Sequence, residues 1–306
     1  LNSKPFRFHA RAWEMTQHPL VSPHDGFGTR LYGHVLRGEL LRVVPQPCEA
    51  INETWIADRD RFSYRGLASA DRLTAPRIRA SNGSWVDSDW DTALAAMATG
   101  LQSAAGQGGA HLGFLAHPSN TLEELYLLAR IAQGLDSANI DHRLRQRDFR
   151  DQDSDLATPG LGMPLEQVDA LDALFIIGAN LRAEVPMLAH RVRKAACRGA
   201  RVSLLEPAAF TYLFPIAHRI GAAPARMRVE LAGVLQAALA AAGASASAAV
   251  APLLAGITSS ESQRAIAVSL VTGRRAIWLG ALALRHSAYA ELRLLARELA
   301  RVTGAT

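Results

Sequence analysis

The sequence predicts an α/β fold: an open, mostly parallel sheet with helices on both faces, preceded by a small β-rich domain. Two observations carry this reading. From residue 173 to residue 206 an apolar run, a glycine turn, a helix-period segment and a second apolar run follow one another, and the strand-to-glycine pattern returns at 274–282. Units of this kind build parallel sheets with right-handed crossovers. Residues 1–66 differ in character, with short β-branched and apolar runs set among prolines. The chain is therefore divided into a β-rich domain over 1–66 and an α/β domain over 67–306.

In the first part, "TRLYGHV" (29–35) and "ELLRVVP" (39–45) read as two strands joined through Arg37-Gly38. Pro19, Pro23, Pro45 and Pro47 punctuate long loops around them. Ser88 opens a helix through Ala105, with Asp91 three residues on as in a capping box. Trp90, Leu94, Met97 and Leu101 follow at helical spacing. "HLGFLA" (111–116) reads as a buried strand. Thr121 with Glu124 is a second cap, Leu125, Leu128 and Ala132 form a stripe, and Gly134 is the expected C-cap.

"ALFIIGA" is the next strand. Val185, Leu188, Val192 and Ala196 make one face of the following helix, with Arg191, Arg193, Lys194 and Arg198 on the other. Cys197, near the end of that helix, reads as a small core residue. "RVSLLEP" is the returning strand, and the tract from Ala237 to Ala251 a loosely specified helix and loop. After the strand at 274–282, Ser287 caps a helix to about Arg301.

The bulk numbers set limits. At 306 residues, with 49% hydrophobic and 20% charged, the chain has room for about two domains. No stretch approaches the roughly 18–20 uncharged apolar residues of a membrane span. The net charge is +5, nearly all of the positive charge is Arg, and basic residues do not interleave with aromatics. That argues against nucleic acid as a partner. Two cysteines, Cys48 and Cys197, are too few for a disulfide framework and suggest a reducing compartment. They also cannot supply the four thiolates of a cubane cluster. The chain begins at Leu1 without a signal peptide, and we read it as a piece of a longer protein.

The turn at Gly178 and Asn180 is the candidate binding feature. Ligands of open parallel sheets sit beyond the carboxyl ends of the strands, and a helix N-terminus there attracts anions. Gly-x-Asn is not the dinucleotide fingerprint, however. Glu184 would oppose an anion, and Pro186 has no N–H to offer. An occupied nucleotide site and a plain tight turn both remain open at this point. His111 and His117 flank a strand and read as hydrogen-bonded loop residues. No Ser-His-Asp or Cys-His set can be assembled.

Three segments carry a resemblance: "INETWIADRDRFSYRGL" (51–67), "SANIDHRLRQRDFRD" (137–151) and "IIGANLRAEVPMLAHRVRKA" (176–195). Together they resemble the G chain of bacterial NADH:quinone oxidoreductase, respiratory complex I. "LNSKPFRFHARAWEM" (1–15) is similar to the stretch that follows that family's N-terminal iron–sulfur region. The likeness runs in order along the whole chain and weakens after about residue 220.

The resemblance implies a body like that of formate dehydrogenases and DMSO reductases, with residues 1–66 as a degenerate iron–sulfur domain. In related molybdenum enzymes the last cluster cysteine falls near Ala57, and the earlier three would lie between Glu14 and Gly28, where none stands. His18 and His24 read as surface or interface residues. A metal-binding Cys, selenocysteine or Ser would follow "NIDH", where Arg143, Arg145, Arg147 and Arg150 stand with Asp148, Asp151 and Asp153. These either form a solvated face or fill the cofactor cavity as ion pairs. Glu206-Pro207 stands where relatives read Asp-Pro-Arg.

Gly178, Asn180 and Glu206 are thus vestigial pterin-dinucleotide candidates, with no catalytic or metal residue in this piece. The full subunit is expected to hold [2Fe-2S] and [4Fe-4S] clusters upstream and to carry electrons from NADH and FMN toward quinone. Its expected partners are the other peripheral-arm subunits, including the NADH-oxidising flavoprotein, at the cytoplasmic face of the bacterial inner membrane. The alternatives are an active molybdopterin-dependent oxidoreductase of the formate dehydrogenase type and a free-standing nucleotide-binding module.

Overall fold

A computed structural model describes residues 3–143, 145, 147–155 and 160–306. In chain order its strands are β1 (Thr16–Val21), β2 (Arg30–Leu36), β3 (Glu39–Pro45), β4 (Arg77–Arg79), β5 (Trp85–Asp87), β6 (Phe114–Leu115), β7 (Ile140–Asp141), β8 (Ala173–Ile177), β9 (Arg201–Glu206), β10 (His218–Gly221) and β11 (Arg275–Leu279). The helices are α1 (Asp58–Phe62), α2 (Trp90–Ala105), α3 (Leu122–Gly134), α4 (Leu181–Glu184), α5 (Pro186–Cys197), α6 (Pro224–Ala242), α7 (Ala251–Leu254), α8 (Glu261–Ser269), α9 (Ala281–Leu284) and α10 (Tyr289–Thr303).

The chain forms two compact units, Leu1–Arg61 with Gln146–Thr306, and Phe62–Arg145. In the larger unit, β8, β9, β10 and β11 make a parallel sheet in the order β10-β9-β8-β11. Its strands read as continuous apolar runs because both faces are covered. Phe175 and Ile177 point with Leu205 into one core, against Leu231, Leu235, Ile266, Leu292 and Leu299 of α6, α8 and α10. Leu174 and Ile176 point with Val202 and Leu204 into the other, against Leu188, Val192 and Ala196 of α5. The expected fold class is borne out. The Ala-rich tract is more ordered than expected. It continues α6 to Ala242, and Gly243 closes the helix in the left-handed conformation.

The β-rich segment is a three-stranded antiparallel sheet, β1-β2-β3. Arg37 and Gly38 both have positive φ, 52° and 84°, the two-residue turn that suits the twist of a hairpin. Strand β1 is not foreshadowed in the sequence. It carries Pro19 and has all six residues exposed, so no apolar alternation marks it.

This segment groups with residues 146–306 rather than standing alone, which differs from the division at 66/67. Arg191, on the helix face opposite the apolar stripe, is the reason. It is only 2% exposed. Its guanidinium donates to the carbonyls of Glu49 (2.5 Å) and Ile51 (2.8 Å) and to Asp169 (3.1 Å). Lys194 joins by pairing with Asp169 at 2.6 Å and with Glu53. Helix periodicity places Arg191 off the sheet-facing stripe, and a second partner covers that flank. Cys197, expected in the core, is exposed at the last turn of α5. It lies one step round from the buried Ala196.

The smaller unit pairs β4 with β5 and β6 with β7. Asp89, not Ser88, caps α2, because its carboxylate accepts the Thr92 N–H at 2.7 Å. The Thr121–Glu124 capping box forms as expected. Gly134 stays helical, and the left-handed residue beyond α3 is Asp136. The expected buried strand at 111–116 shrinks to Phe114–Leu115, and Leu115 is exposed. Trp90, Leu94 and Met97 of the expected α2 stripe are likewise exposed within this unit.

Two measurements test these ties. Replacing Arg191 with Ala leaves two partly buried carbonyls and part of Asp169 without their donor and opens the space of a buried side chain, and should cost about 2–4 kcal/mol in urea unfolding. Arg191→Lys, which cannot fork, should recover only part of this. In α10, Glu298 is held at about 2 by hydrogen bonds from Arg301 and then from the Ser247 N–H. The folded value lies below the unfolded 4.5. This contribution, of order 2 kcal/mol, is therefore complete above that value and fades as pH falls toward 2. Glu298→Gln should flatten the loss of urea midpoint between pH 5 and 3, and an unchanged slope would contradict the assignment.

Candidate functional site at the carboxyl edge of the sheet

From β8 the chain passes to β9 and β10 on one side and returns as β11 on the other. The ligand crevice of such a sheet opens where the order reverses, between the carboxyl ends of β8 and β11. Gly178 and Gly280 sit there, each beginning a strand-to-helix turn.

Gly178 has φ +60° and donates its N–H to Leu205 O at 2.8 Å. Its carbonyl accepts the N–H groups of Leu282 (2.9 Å) and Ala283 (3.1 Å). A Cβ at this position would lie 2.7 Å from Ala283 N. A Cβ at Gly280 would lie 2.2 Å from the Ala179 Cβ. Both glycines therefore serve the close approach of α9 to the β8 turn, and the space beside Gly178 is filled by protein.

One amide of each turn is also taken. The Glu184 carboxylate accepts the Asn180 N–H through Oε1 (2.7 Å) and the Ala281 N–H through Oε2 (2.9 Å). One side chain thus bridges the N-termini of α4 and α9, where unpaired N–H groups and the helix dipole would otherwise draw an anion. The expected single helix is broken at Val185 (φ −141°), and the longer α5 begins on Pro186, which offers no donor. Arg59 fixes the far end of α4 by donating to the carbonyls of Ala183 (3.1 Å) and Glu184 (3.0 Å) while paired with Asp25.

Glu206 ends β9 and is 1% exposed. Arg219, from the neighbouring β10, lies 2.7 Å from its Oε1. Burial raises the carboxyl above its ordinary value, and Arg219 opposes the rise. The arginine missing from the Glu206-Pro207 motif is thus replaced from another strand, where it pairs with the glutamate itself. Tyr212 donates its hydroxyl to Ala179 O at 2.9 Å, and burial pushes it up to about 12, with Glu206 adding to the rise.

The arginine segment divides. Arg147 pairs with Asp155 at 2.9 Å and lies over the Tyr289 ring at 5.2 Å. Arg150 pairs with Asp148 (2.9 Å) and Glu291 (3.2 Å). Asp148 accepts the Ala290 N–H at 3.0 Å, serving α10 as a cap from a distant segment. Ser287, expected as that cap, makes no side-chain cap bond. Arg150, with help from the Ala290 N–H, holds the Asp148 carboxyl well below the usual carboxylate range. Arg293 of α10 closes the group with Asp151 and Asp155. Arg143 pairs locally with Asp141, and Arg145 is exposed. Ion pairing thus holds for Arg147 and Arg150 against α10, while Arg143 and Arg145 belong to the other unit.

Three comparisons bear on this edge. A family model described as molybdopterin oxidoreductase matches residues 72–306. The chain belongs to that family. Within the molybdopterin oxidoreductases the more specific likeness is to the G subunit of NADH-quinone oxidoreductase. The G subunit from Rickettsia felis is 32% identical over 206 residues, covering 66% of this chain and 30% of that one. The Rickettsia typhi protein of the same name is 31% identical over 200 residues, covering 65% and 29%. These bear out the resemblance carried by the three long motifs. The chain spans less than a third of the length of either relative. Acetylene hydratase from Pelobacter acetylenicus matches with a TM-score of 0.69 at 15% identity, over 94% of this chain and 43% of that one. At that identity the likeness concerns the fold alone.

A second family model, described as NADH-ubiquinone oxidoreductase NDSU1/NuoG-like, 4Fe-4S domain, matches residues 21–65. The donors in that stretch do not fit such a cluster. Its one cysteine is Cys48, whose backbone bridges to Glu53, and Ala57 is buried with no donor atom. His18, just outside the matched stretch, lies on the exposed face of β1. Among the described residues no three His, Cys, Asp or Glu side chains are grouped to hold a metal.

Sequence reasoning located Gly178, Asn180 and Glu206 at one edge, as observed. It missed Arg219, the bond of Asp148 to the Ala290 N–H and the reach of Glu184. The misfit of Glu184 with an anion was legible, but its bond to Ala281, 97 positions away, was not.

Removing the bridge tests its weight. Glu184→Ala leaves two amides without their acceptor and should cost roughly 1–3 kcal/mol in urea unfolding, with Glu184→Gln recovering about half. Gly178→Ala, which adds left-handed strain and a clash with Ala283, should cost at least as much as Glu184→Ala. Wild-type stability in Glu184→Ala would show that the carboxylate does not hold the edge.

Proposed function

We propose that this chain is a scaffold portion of the G subunit of NADH-quinone oxidoreductase, with a pterin frame that its own side chains close. The observation that carries the reading is the Glu184 carboxylate on the Asn180 and Ala281 amides. A negatively charged pyrophosphate would have to displace it and then stand beside it. Like charges in one shielded place repel strongly, and α9 fills the space at Gly178. A pterin dinucleotide, when bound in this family's frame, would supply redox chemistry through a metal. The residues present do not fit it.

In the same reading the four-cysteine cluster of residues 21–65 has been lost. The whole subunit carries [2Fe-2S] and [4Fe-4S] clusters in its upstream part and passes electrons from NADH and FMN toward quinone. This piece shields that part and meets other peripheral-arm subunits, including the NADH-oxidising flavoprotein, at the cytoplasmic face of the bacterial inner membrane. No helix among the described residues is long and apolar enough to cross a membrane. The family match also admits an active molybdopterin oxidoreductase, which would need Glu184 to leave both amides.

Elemental analysis and absorption spectroscopy of the purified chain decide between the two. The scaffold reading expects molybdenum, tungsten and iron far below one atom per chain and a featureless spectrum above 350 nm, a wavelength of about the onset of thiolate-to-iron bands. Stoichiometric molybdenum or tungsten would overturn it.

A further inference from the structure

Away from the crevice, a half-open groove of about 430 Å³ runs between the segment entering α1, the outer side of α4 and α5, and the loop at 213–214. Ile56, Met187 and Phe214 contribute apolar surface to it. At its lips stand Trp55 and Leu213, 55% and 66% exposed. The Trp55 ring lies 5.7 Å from the ring of His190. Together with the apolar lining, these two side chains offer a partner apolar surface at one groove.

The charge of the groove has one dominant sign. Arg182 donates to Thr211 O at 3.2 Å, and Arg193 to Leu213 O at 3.1 Å. These bonds fix both guanidinium groups against the 211–213 loop without neutralising them. Among the described residues neither has a carboxylate within ion-pair distance, whereas Arg59 of the same lining is paired with Asp25. Asp58 is the one acid on the lining. Trp and Arg are the residue types that dominate the energetics of protein contacts.

We propose that this groove docks an acidic segment of a partner polypeptide, with an aromatic or large aliphatic side chain entering between Trp55 and Leu213 and carboxylates meeting Arg182 and Arg193. A free phosphate or nucleotide suits it less. Helix α5 begins there on Pro186, which presents no N–H, so an anion cradle there would lack one of its backbone donors. The groove is open along its length and its lips are apolar, which suits a chain that continues beyond it. The inference does not depend on the reading of the crevice: among the described residues no charged side chain of the groove pairs with the Glu184 carboxylate, and Arg59 meets Glu184 only at its backbone carbonyl.

The test uses two fluorescein-labelled hexapeptides, Asp-Glu-Phe-Asp-Glu-Leu and Lys-Arg-Phe-Lys-Arg-Leu, titrated with the whole chain at low salt and followed by anisotropy. The acidic peptide should saturate below about 1 mM, and the basic one should not bind. Arg182→Glu with Arg193→Glu should weaken the acidic peptide at least tenfold and create binding of the basic one. Trp55→Ala, a change at an exposed position, should weaken the acidic peptide at least threefold while circular dichroism stays the same. ATP and inorganic phosphate at the same concentrations should leave the complex intact. Equal binding of both peptides, displacement by ATP or phosphate, indifference to the charge reversal, or no binding of the acidic peptide would each overturn the proposal.

Discussion

Where a parallel sheet reverses its strand order, two turns meet and both present amide N–H groups that no strand or helix can use. Buried or shielded amides of this kind need an acceptor. Here the acceptor is Glu184, shared between Asn180 and Ala281. That one carboxylate lets α9 lie directly on the Gly178 turn, which in turn closes the place where a ligand would enter. The two glycines then do a different task from the one their position suggests. Each admits backbone of the other turn rather than a phosphate.

The same solution recurs along the edge. Asp148 takes an amide at the start of α10, and Glu206 is held by Arg219. Each of these acids has a partner supplied by the chain, Glu206 an arginine and the other two backbone amides at helix starts. A frame evolved around a polyanion would be destabilised by losing it unless something carried the same charge in the same place. Carboxylates from within the chain place negative charge at such helix ends, Glu184 on the Asn180 and Ala281 amides and Asp148 on that of Ala290.

Polar fastening of another kind ties the β-rich segment to α5. Arg191 reaches the carbonyls of Glu49 and Ile51, and Lys194 adds Asp169 and Glu53. Buried charges contribute less to net stability than apolar packing does, but they tolerate fewer alternative arrangements. An arginine here suits a joint whose geometry matters, because its planar fork can satisfy two carbonyls and a carboxylate at once. The surface of α4 and α5 left uncovered by this joint carries the arginine-rimmed groove.

What the sequence by itself determined is the local and periodic part of the protein. The strands β8, β9 and β11 were legible because burial on both faces forces an uninterrupted apolar run, and the hairpin at Arg37-Gly38 because two β-branched and apolar runs meet at a short link containing a glycine, which accepts positive φ. The Thr121–Glu124 cap lies within one turn and could be read directly. The deficit of sulfur donors was plain from counting. Only the tertiary structure decided which side of α5 lies against a second partner, burying Arg191 and exposing Cys197. It also decided that β1 exists without an apolar pattern, and that Asp148, Arg219 and Glu184 reach across the fold. The physical reason is the same in each case. Periodicity records which side of an element avoids water, whereas a charged group chooses its partner by proximity in space, and no interval along the chain encodes that distance.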